Sequence, residues 1–147
     1  MKFYIINGPN LNMLGIREPD KYGIVDYKAL CGMIKSHCDP LGIETVFYQS
    51  NHEGDLVDKI QEAYFSGADG IVINPGAYTH TSIALLDALL STSLPCAEVH
   101  ITNVDEREDF RRISYIRNAC FTTISGRGAF GYTDACDELL SYLGKKT

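Results

Sequence analysis

The sequence predicts an α/β fold, a five-stranded parallel sheet with helices on both faces. Three observations carry that expectation. Short apolar runs alternate with segments of helical periodicity along the chain. The runs read as apolar throughout, as strands covered on both faces must be. Gly, Pro and Asn clusters separate each run from the segment that follows. Crossovers in such a sheet are right-handed, and the strand order expected is 2-1-3-4-5, the flavodoxin-like arrangement.

The elements follow in order. Lys2 to Asn7 is an apolar run that stops at Asn7-Gly8-Pro9-Asn10, which predicts a first strand. Tyr27 to Cys38 places Leu30, Met33, Ile34 and Cys38 at helical spacing, and Pro40 and Gly42 close that helix. Ile43 to Tyr48 is the second strand. Leu56, Ile60, Ala63 and Tyr64 mark a second helix, ended by Gly67. Gly70 to Ile73 is the third strand, Thr81 to Ser91 the third helix, Cys96 to Ile101 the fourth strand, Ala119 to Ile124 the fifth, and Ala135 to Leu143 a closing helix. The third helix carries Ile83, Ala84, Leu85, Leu86, Ala88, Leu89 and Leu90, with almost no polar face. Such a helix is either covered on all sides in the core or buried at a subunit interface.

At 147 residues with 45% hydrophobic and 22% charged side chains, the chain reads as one soluble domain over residues 1–147 that buries its core without staples. The formal net charge of -6 argues against a nucleic-acid partner, since neutralising phosphates needs a surplus of Lys and Arg. No apolar run approaches the ~20 residues of a membrane span, and the first residues do not have the form of a signal peptide. Five cysteines without a CxxC spacing fit neither a disulfide framework nor a zinc site. Reduced thiols in a cytoplasmic protein are the expectation.

Function is expected where polar residues collect beyond the carboxyl ends of the strands. The first strand exits into Asn7, Asn10 and Asn12. The second exits into Gln49, Ser50, Asn51 and His52, and the third into Asn74, Gly76, Tyr78, Thr79 and His80. The fourth exits through Glu98 and His100 to Thr102 and Asn103, and the fifth into Ser125, Gly126 and Arg127. Any one of these is an ordinary turn residue. Their convergence, with three of the four histidines, predicts a site for a small hydroxyl-rich molecule. His37 is expected on a helix surface. The long connection from Gly8 to about Val25, with Arg17, Glu18, Asp20, Lys21 and Tyr22, reads as a lid. The charges from Asp105 to Arg112 read as a solvated, salt-bridged helix from which one Arg could turn inward.

Other motifs do not hold. Gly126 to Gly131 matches G-x-G-x-x-G but lacks a following strand and a ribose-binding acid, so tight turns explain it better than a dinucleotide. Neither a phosphate-binding loop, nor H-E-x-x-H, nor a G-x-S-x-G elbow occurs. Glu98 and His100 share a strand face and are read as a hydrogen-bonded pair rather than as metal ligands, so no metal and no cofactor are expected.

The same residues carry a family resemblance. Ile6-Asn7-Gly8-Pro9-Asn10-Leu11-Asn12-Met13-Leu14-Gly15 with Arg17-Glu18-Pro19 and Tyr22-Gly23 resembles the N-terminal signature of type II dehydroquinases. So do Gln49 to Gly54, Asn74 to Ser82, Glu98 to Ile101, and Arg107 with Phe110-Arg111. These blocks span essentially the whole chain in order. The resemblance implies a flavodoxin-like fold assembled as trimers in a homododecamer. It also implies anti elimination of water from 3-dehydroquinate through an enolate, without metal or Schiff base. Carried over by motif, Tyr22 is the base, Arg17 lies beside it, His100 is the acid and Glu98 orients it. Asn10 holds a water against the enolate oxygen. Asn74, His80, Ile101, Thr102 and Arg111 match substrate-binding positions, and Asp87 matches an acid reaching a neighbouring subunit's site. Thr102 stands where many relatives have Ser; its hydroxyl preserves the hydrogen-bonding group.

That chemistry suits these residue types. A free Tyr titrates near ~10, so a cation such as Arg17 must favour the phenolate. His titrates in the range an acid needs near neutrality, and a carboxylate beside it keeps it protonated. Read from the residues alone, Tyr22 serves equally well as an apolar lid residue. The alternatives are the same reaction in quinate catabolism, another elimination or hydrolysis of a polyhydroxy acid, or a non-catalytic flavodoxin-like binding module. Tyr22, Arg17 and His100 together weigh against the last.

Overall fold

The computed structural model describes residues 1–16 and 25–145. Strand β1 (Lys2–Asn7) leads to helix α1 (Tyr27–Cys38), then β2 (Glu44–Gln49), α2 (Glu53–Phe65) and β3 (Gly70–Asn74). Helix α3 (Ile83–Thr92), β4 (Cys96–His100), β5 (Thr122–Ser125) and α4 (Phe130–Lys145) complete the chain. All strand pairs are parallel, in the order β2-β1-β3-β4-β5. The expected fold class and strand order are therefore the observed ones.

Strand periodicity divides the core in two. Phe3, Ile5, Val72, Ala97 and Val99 pack with α1 and α4, whereas Tyr4, Ile6, Ile71, Ile73 and Cys96 pack with α2 and α3. Phe3, Ile5, Ile6, Ile71 and Ile73 are fully buried, and each contributes about 1.5–3 kcal/mol relative to remaining exposed. Helix starts follow their caps. The Asp26 carboxylate accepts from the Ala29 N–H at 2.7 Å, and the Ser82 hydroxyl accepts from the Leu85 N–H at 3.0 Å.

Several boundaries differ from expectation. The cap at Ser82 starts α3 at Ile83 rather than Thr81. Helix α4 begins at Phe130, ahead of the apolar periodicity at Ala135, because the turn through Gly126 and Gly128 feeds directly into it. Ile116–Ala119 forms a 3₁₀ turn, so β5 starts only at Thr122. The strands are not apolar throughout. The edge strands β2 and β5 are half-buried and carry Thr, Gln and Ser, because an edge strand shares one flank with solvent. The charged segment 105–112 forms two 3₁₀ turns rather than one helix; the Arg111–Glu108 and Arg112–Asp109 ion pairs lie there. His37 sits on α1, paired with Asp137 at 2.7 Å. Arg17, Tyr22 and the rest of the stretch 17–24, the charged part of the expected lid, lie outside the described residues. Among the described residues no helix is long and apolar enough to cross a membrane.

The carboxyl ends of β1 and β3 are level, with Asn7 opposite Asn74, and the loops beyond them interlock. The Gly8 N–H donates to the Asn74 carbonyl at 2.8 Å. A Cβ on Gly8 would stand 2.2 Å from the Pro75 carbonyl oxygen. Gly76, at φ +60°, would bring a Cβ to 2.9 Å from the Pro9 oxygen. Each loop thus uses glycine where the other's backbone passes. On the β2 side, the Gln49 side chain donates to the Gly8 carbonyl at 3.1 Å, and the Asn10 N–H donates to Asn51 Oδ1 at 3.1 Å.

Gly8→Ala forces these loops apart and should lower unfolding stability by about 1–3 kcal/mol. Gly32→Ala, in α1 with nothing within 4 Å of the added carbon, is the matched control and should not destabilise. Urea midpoints of the two variants measure the difference, and equal midpoints would remove the interlock as a stabilising element.

Candidate active site

A cavity of about 170 Å³ opens beyond the carboxyl ends of β1, β3 and β4. Asn10, Asn74 and His80 line it from the first and third strands, and His100, Ile101 and Thr102 from the fourth. Arg107 and Arg111 close it from the segment that follows. The inward arginine expected from the charged segment is thus a pair. Among the described lining residues there is no carboxylate, so the cavity suits an anion.

Asn10 holds a left-handed backbone at φ 69°. Asn tolerates that region better than other side chains, since its short amide bonds locally. The conformation lets the chain turn out of the β1 loop and into the 3₁₀ turn Leu11–Met13. Asn74 ends β3 only 5% exposed; its Oδ1 accepts from the Gly76 N–H at 3.1 Å and its Nδ2 donates to the Tyr132 hydroxyl at 3.0 Å. His80 donates from Nδ1 to the Ile113 carbonyl at 2.7 Å, which leaves Nε2 as an acceptor in the neutral ring. Burial holds His80 below the ordinary histidine range; its bond to Ile113 opposes this, and the charges of His100, Arg111 and Arg107 add to it.

Glu98 and His100 lie two residues apart on β4, so both side chains leave the same face. His100 Nε2 is 2.5 Å from Glu98 Oε2. Glu98 has no exposed surface and is met by a second element: Ser114 Oγ lies 3.0 and 2.8 Å from its two oxygens. Arg117 Nη2 is 3.6 Å from Oε2. Burial by itself would raise the Glu98 carboxyl, but the hydrogen bond and charge of His100, with Ser114 and Arg117, outweigh it and hold the group below its usual range. A buried carboxylate is tolerable only when its lone pairs are filled in this way.

The structure thus brings together Asn10, Asn74, His80, His100, Ile101, Thr102 and Arg111, with Glu98 directly behind His100. Asp87 does not join them. It is exposed on α3 and does not line the cavity. His52 precedes α2 at an exposed position away from the cavity, and Arg127 pairs with Asp134 at 2.8 Å. Gln49 and Asn51 bind neighbouring loops instead of lining the cavity. Ser114, Arg117 and Tyr132 were not expected at the site. Ser114 sits just after the charged segment and Arg117 in a short turn, and neither carries a motif. Tyr132 follows the rejected glycine motif. Among the described residues no three His, Cys, Asp or Glu side chains converge to hold one metal ion.

A doubly covered parallel sheet in this order, with its cavity beyond the strand ends, places the chain among flavodoxin-like α/β proteins. The chain belongs to the class II dehydroquinases: the family model described as Dehydroquinase class II matches residues 1–140. Among solved structures it is similar to the type II dehydroquinase from Butyrivibrio crossotus, at 57% identity and a TM-score of 0.94, with 95% of this chain and 97% of that one covered. Proteins named 3-dehydroquinate dehydratase from Clostridium perfringens and Fusobacterium nucleatum are 47% and 49% identical to it, each across 99% of this chain and 100% of the relative.

The environment of Glu98 makes the fold acid-sensitive in a specific way. A carboxyl held below its ordinary value of 4.5 when folded stabilises the fold above that value. This contribution disappears as pH falls through the folded pKa. Ser114→Ala removes a donor from the ionised form and raises the folded pKa, so acid unfolding followed by circular dichroism should begin at higher pH than in the unaltered protein. Superimposable acid profiles would show that Ser114 does not hold Glu98 ionised.

Proposed function

We propose that the chain is a hydro-lyase acting as one domain over residues 1–147. It converts 3-dehydroquinate to 3-dehydroshikimate by anti elimination through an enolate, in the shikimate pathway of the cytoplasm. The observation that carries this reading is the buried His100–Glu98 pair at a cavity whose charged walls are arginine. Family membership and the names borne by close relatives support the same substrate.

In this mechanism the phenolate of Tyr22 takes the proton beside the substrate ketone, and Arg17 favours that phenolate. The electron pair of the broken C–H bond passes into the enolate, whose oxygen is met by a water held on Asn10. Collapse of the enolate expels the hydroxyl group, and His100 protonates it so that it leaves as water. Glu98 accepts the hydrogen bond of His100 Nε2, which leaves Nδ1 as the nitrogen that exchanges a proton with the ligand. Arg111 pairs with the substrate carboxylate, with Thr102 and the chain at Ile101 beside it. Asn74 and the free Nε2 of His80 meet the substrate hydroxyls. No cofactor takes part in these steps.

Purified protein mixed with 3-dehydroquinate should give the ultraviolet signal of the conjugated enone product. The signal should persist with a chelator, and after borohydride treatment in the presence of substrate. Absence of product from folded protein would favour a binding module on the same scaffold. His100→Ala should lower turnover roughly 10²–10⁴-fold, the span of general acid catalysis, with the fold intact by circular dichroism. Turnover near the unaltered level would remove His100 as the acid.

The chain also carries a surface suited to assembly. Ile83 and Leu90 on α3 are 55% and 54% exposed, with exposed Asp87 between them on the same helical face. Burying that face against a neighbour would bring Asp87 towards the neighbour's cavity, in trimers that pack into a dodecamer. Leu90→Glu should reduce the mass seen by analytical ultracentrifugation. An unchanged mass would place the contact elsewhere.

A further inference from the structure

One buried titratable group is not used by the proposed mechanism yet touches its binding residues. Tyr132 of α4 is 0% exposed. Its hydroxyl donates to Asn7 Oδ1 at 2.6 Å and accepts from Asn74 Nδ2 at 3.0 Å. Asn7 and Asn74 are paired neighbours at the ends of β1 and β3, and their side chains leave the same face of the sheet as Ile5 and Val72, towards α4.

We infer that Tyr132 is a positioning residue that fixes which end of the Asn74 carboxamide faces the substrate. The two ends of a carboxamide are alike in shape and opposite in hydrogen-bonding sense. Their orientation is therefore decided by partners. The Gly76 N–H needs an acceptor and takes Asn74 Oδ1 at 3.1 Å. The Tyr132 hydroxyl has spent its one proton on Asn7, so it offers Asn74 only a lone pair and requires the N–H end. The chain of donors runs one way, from Asn74 to Tyr132 to Asn7. This leaves the second N–H of Asn74 for the cavity, where it suits an oxygen acceptor. Burial holds the Tyr132 phenol above its ordinary range, although the bond from Asn74 opposes this, so the hydroxyl keeps its proton. Replacing that hydroxyl would leave the amide held by the Gly76 N–H alone, and in the turned orientation it would offer an acceptor to another acceptor.

This inference rests on the dehydratase reading, with Asn74 as a substrate ligand. The test is Tyr132→Phe in the full chain, assayed with 3-dehydroquinate beside the unaltered protein, Asn74→Ala and the double variant. Tyr132→Phe should raise KM roughly 3–10-fold, the worth of one neutral hydrogen bond, and change kcat less than about twofold, because binding orientation rather than proton transfer is lost. In the Asn74→Ala background the same substitution should leave KM unchanged, since both act through one group. An unchanged KM in Tyr132→Phe, or a KM effect that persists in the Asn74→Ala background, would overturn the inference and leave Tyr132 a structural residue. Should Tyr132→Phe fail to fold by circular dichroism, Asn7→Ala is read by the same KM and kcat split. It keeps the phenol but removes the acceptor that sets its direction, and an unchanged KM there overturns the inference equally. Lack of turnover in the unaltered protein would overturn the dehydratase reading itself, and the inference with it.

Discussion

The close approach of two loops, which glycine alone permits, underlies the rest of the site. Gly8 passes the Pro75 carbonyl and Gly76 passes the Pro9 oxygen at distances where no side chain fits. Because Asn10 lies beyond one glycine and Asn74 before the other, the interlock decides where both amides stand. His80, at the end of the 3₁₀ turn that Gly76 opens, inherits its place from the same contact. Binding residues on loops are ordinarily less well placed than those on strands. Here the loops are pinned to each other and to Gln49 and Asn51, so they behave as extensions of the sheet.

The other half of the site is built on the opposite face and by a different means. Glu98 sits where water cannot reach it; His100 and Ser114 hydrogen-bond its oxygens, and the Arg117 cation stands 3.6 Å away. Two of those, Ser114 and Arg117, come from the stretch between β4 and β5, which otherwise reads as a mere connection. The low dielectric that makes an unpaired carboxylate costly also makes the pairing with His100 strong. The positive charge at the cavity, from Arg107 and Arg111, lies on the segment that follows β4, so the arginines and the His100–Glu98 pair are supplied by different parts of the chain.

Much of this was legible in the sequence, and the reasons differ by element. Alternating apolar segments were enough for the fold, since a covered parallel sheet has few alternatives at this length. The loops at Asn7-Gly8-Pro9-Asn10 and Asn74-Pro75-Gly76 were visible because their backbone demands specific residues. Glu98 and His100 were visible because spacing of two on a strand means a shared face. The edge strands were misjudged because nothing local tells an edge from a centre. Ser114 and Arg117 could not be read, since a Ser or Arg in a connection has a dozen commoner uses, and only tertiary packing brings them 16 and 19 residues back to Glu98. Tyr132 was hidden for the same reason, lying 125 residues from Asn7. Asp87 stands on an exposed helix face away from the cavity of its own chain, as the family resemblance allowed when it assigned that acid to a neighbour.

The placement of Glu98 and His100 on alternate positions of one strand has a consequence for how this protein can change over evolutionary time. Chain length can drift in the connections, where added residues bulge into solvent. A single residue gained or lost between Glu98 and His100 would rotate one member of the pair through the sheet into the layer of α1 and α4, away from its partner. Lineages that retain the pair should therefore keep a single residue between Glu98 and His100, while differing in length in the connections on either side of the strand.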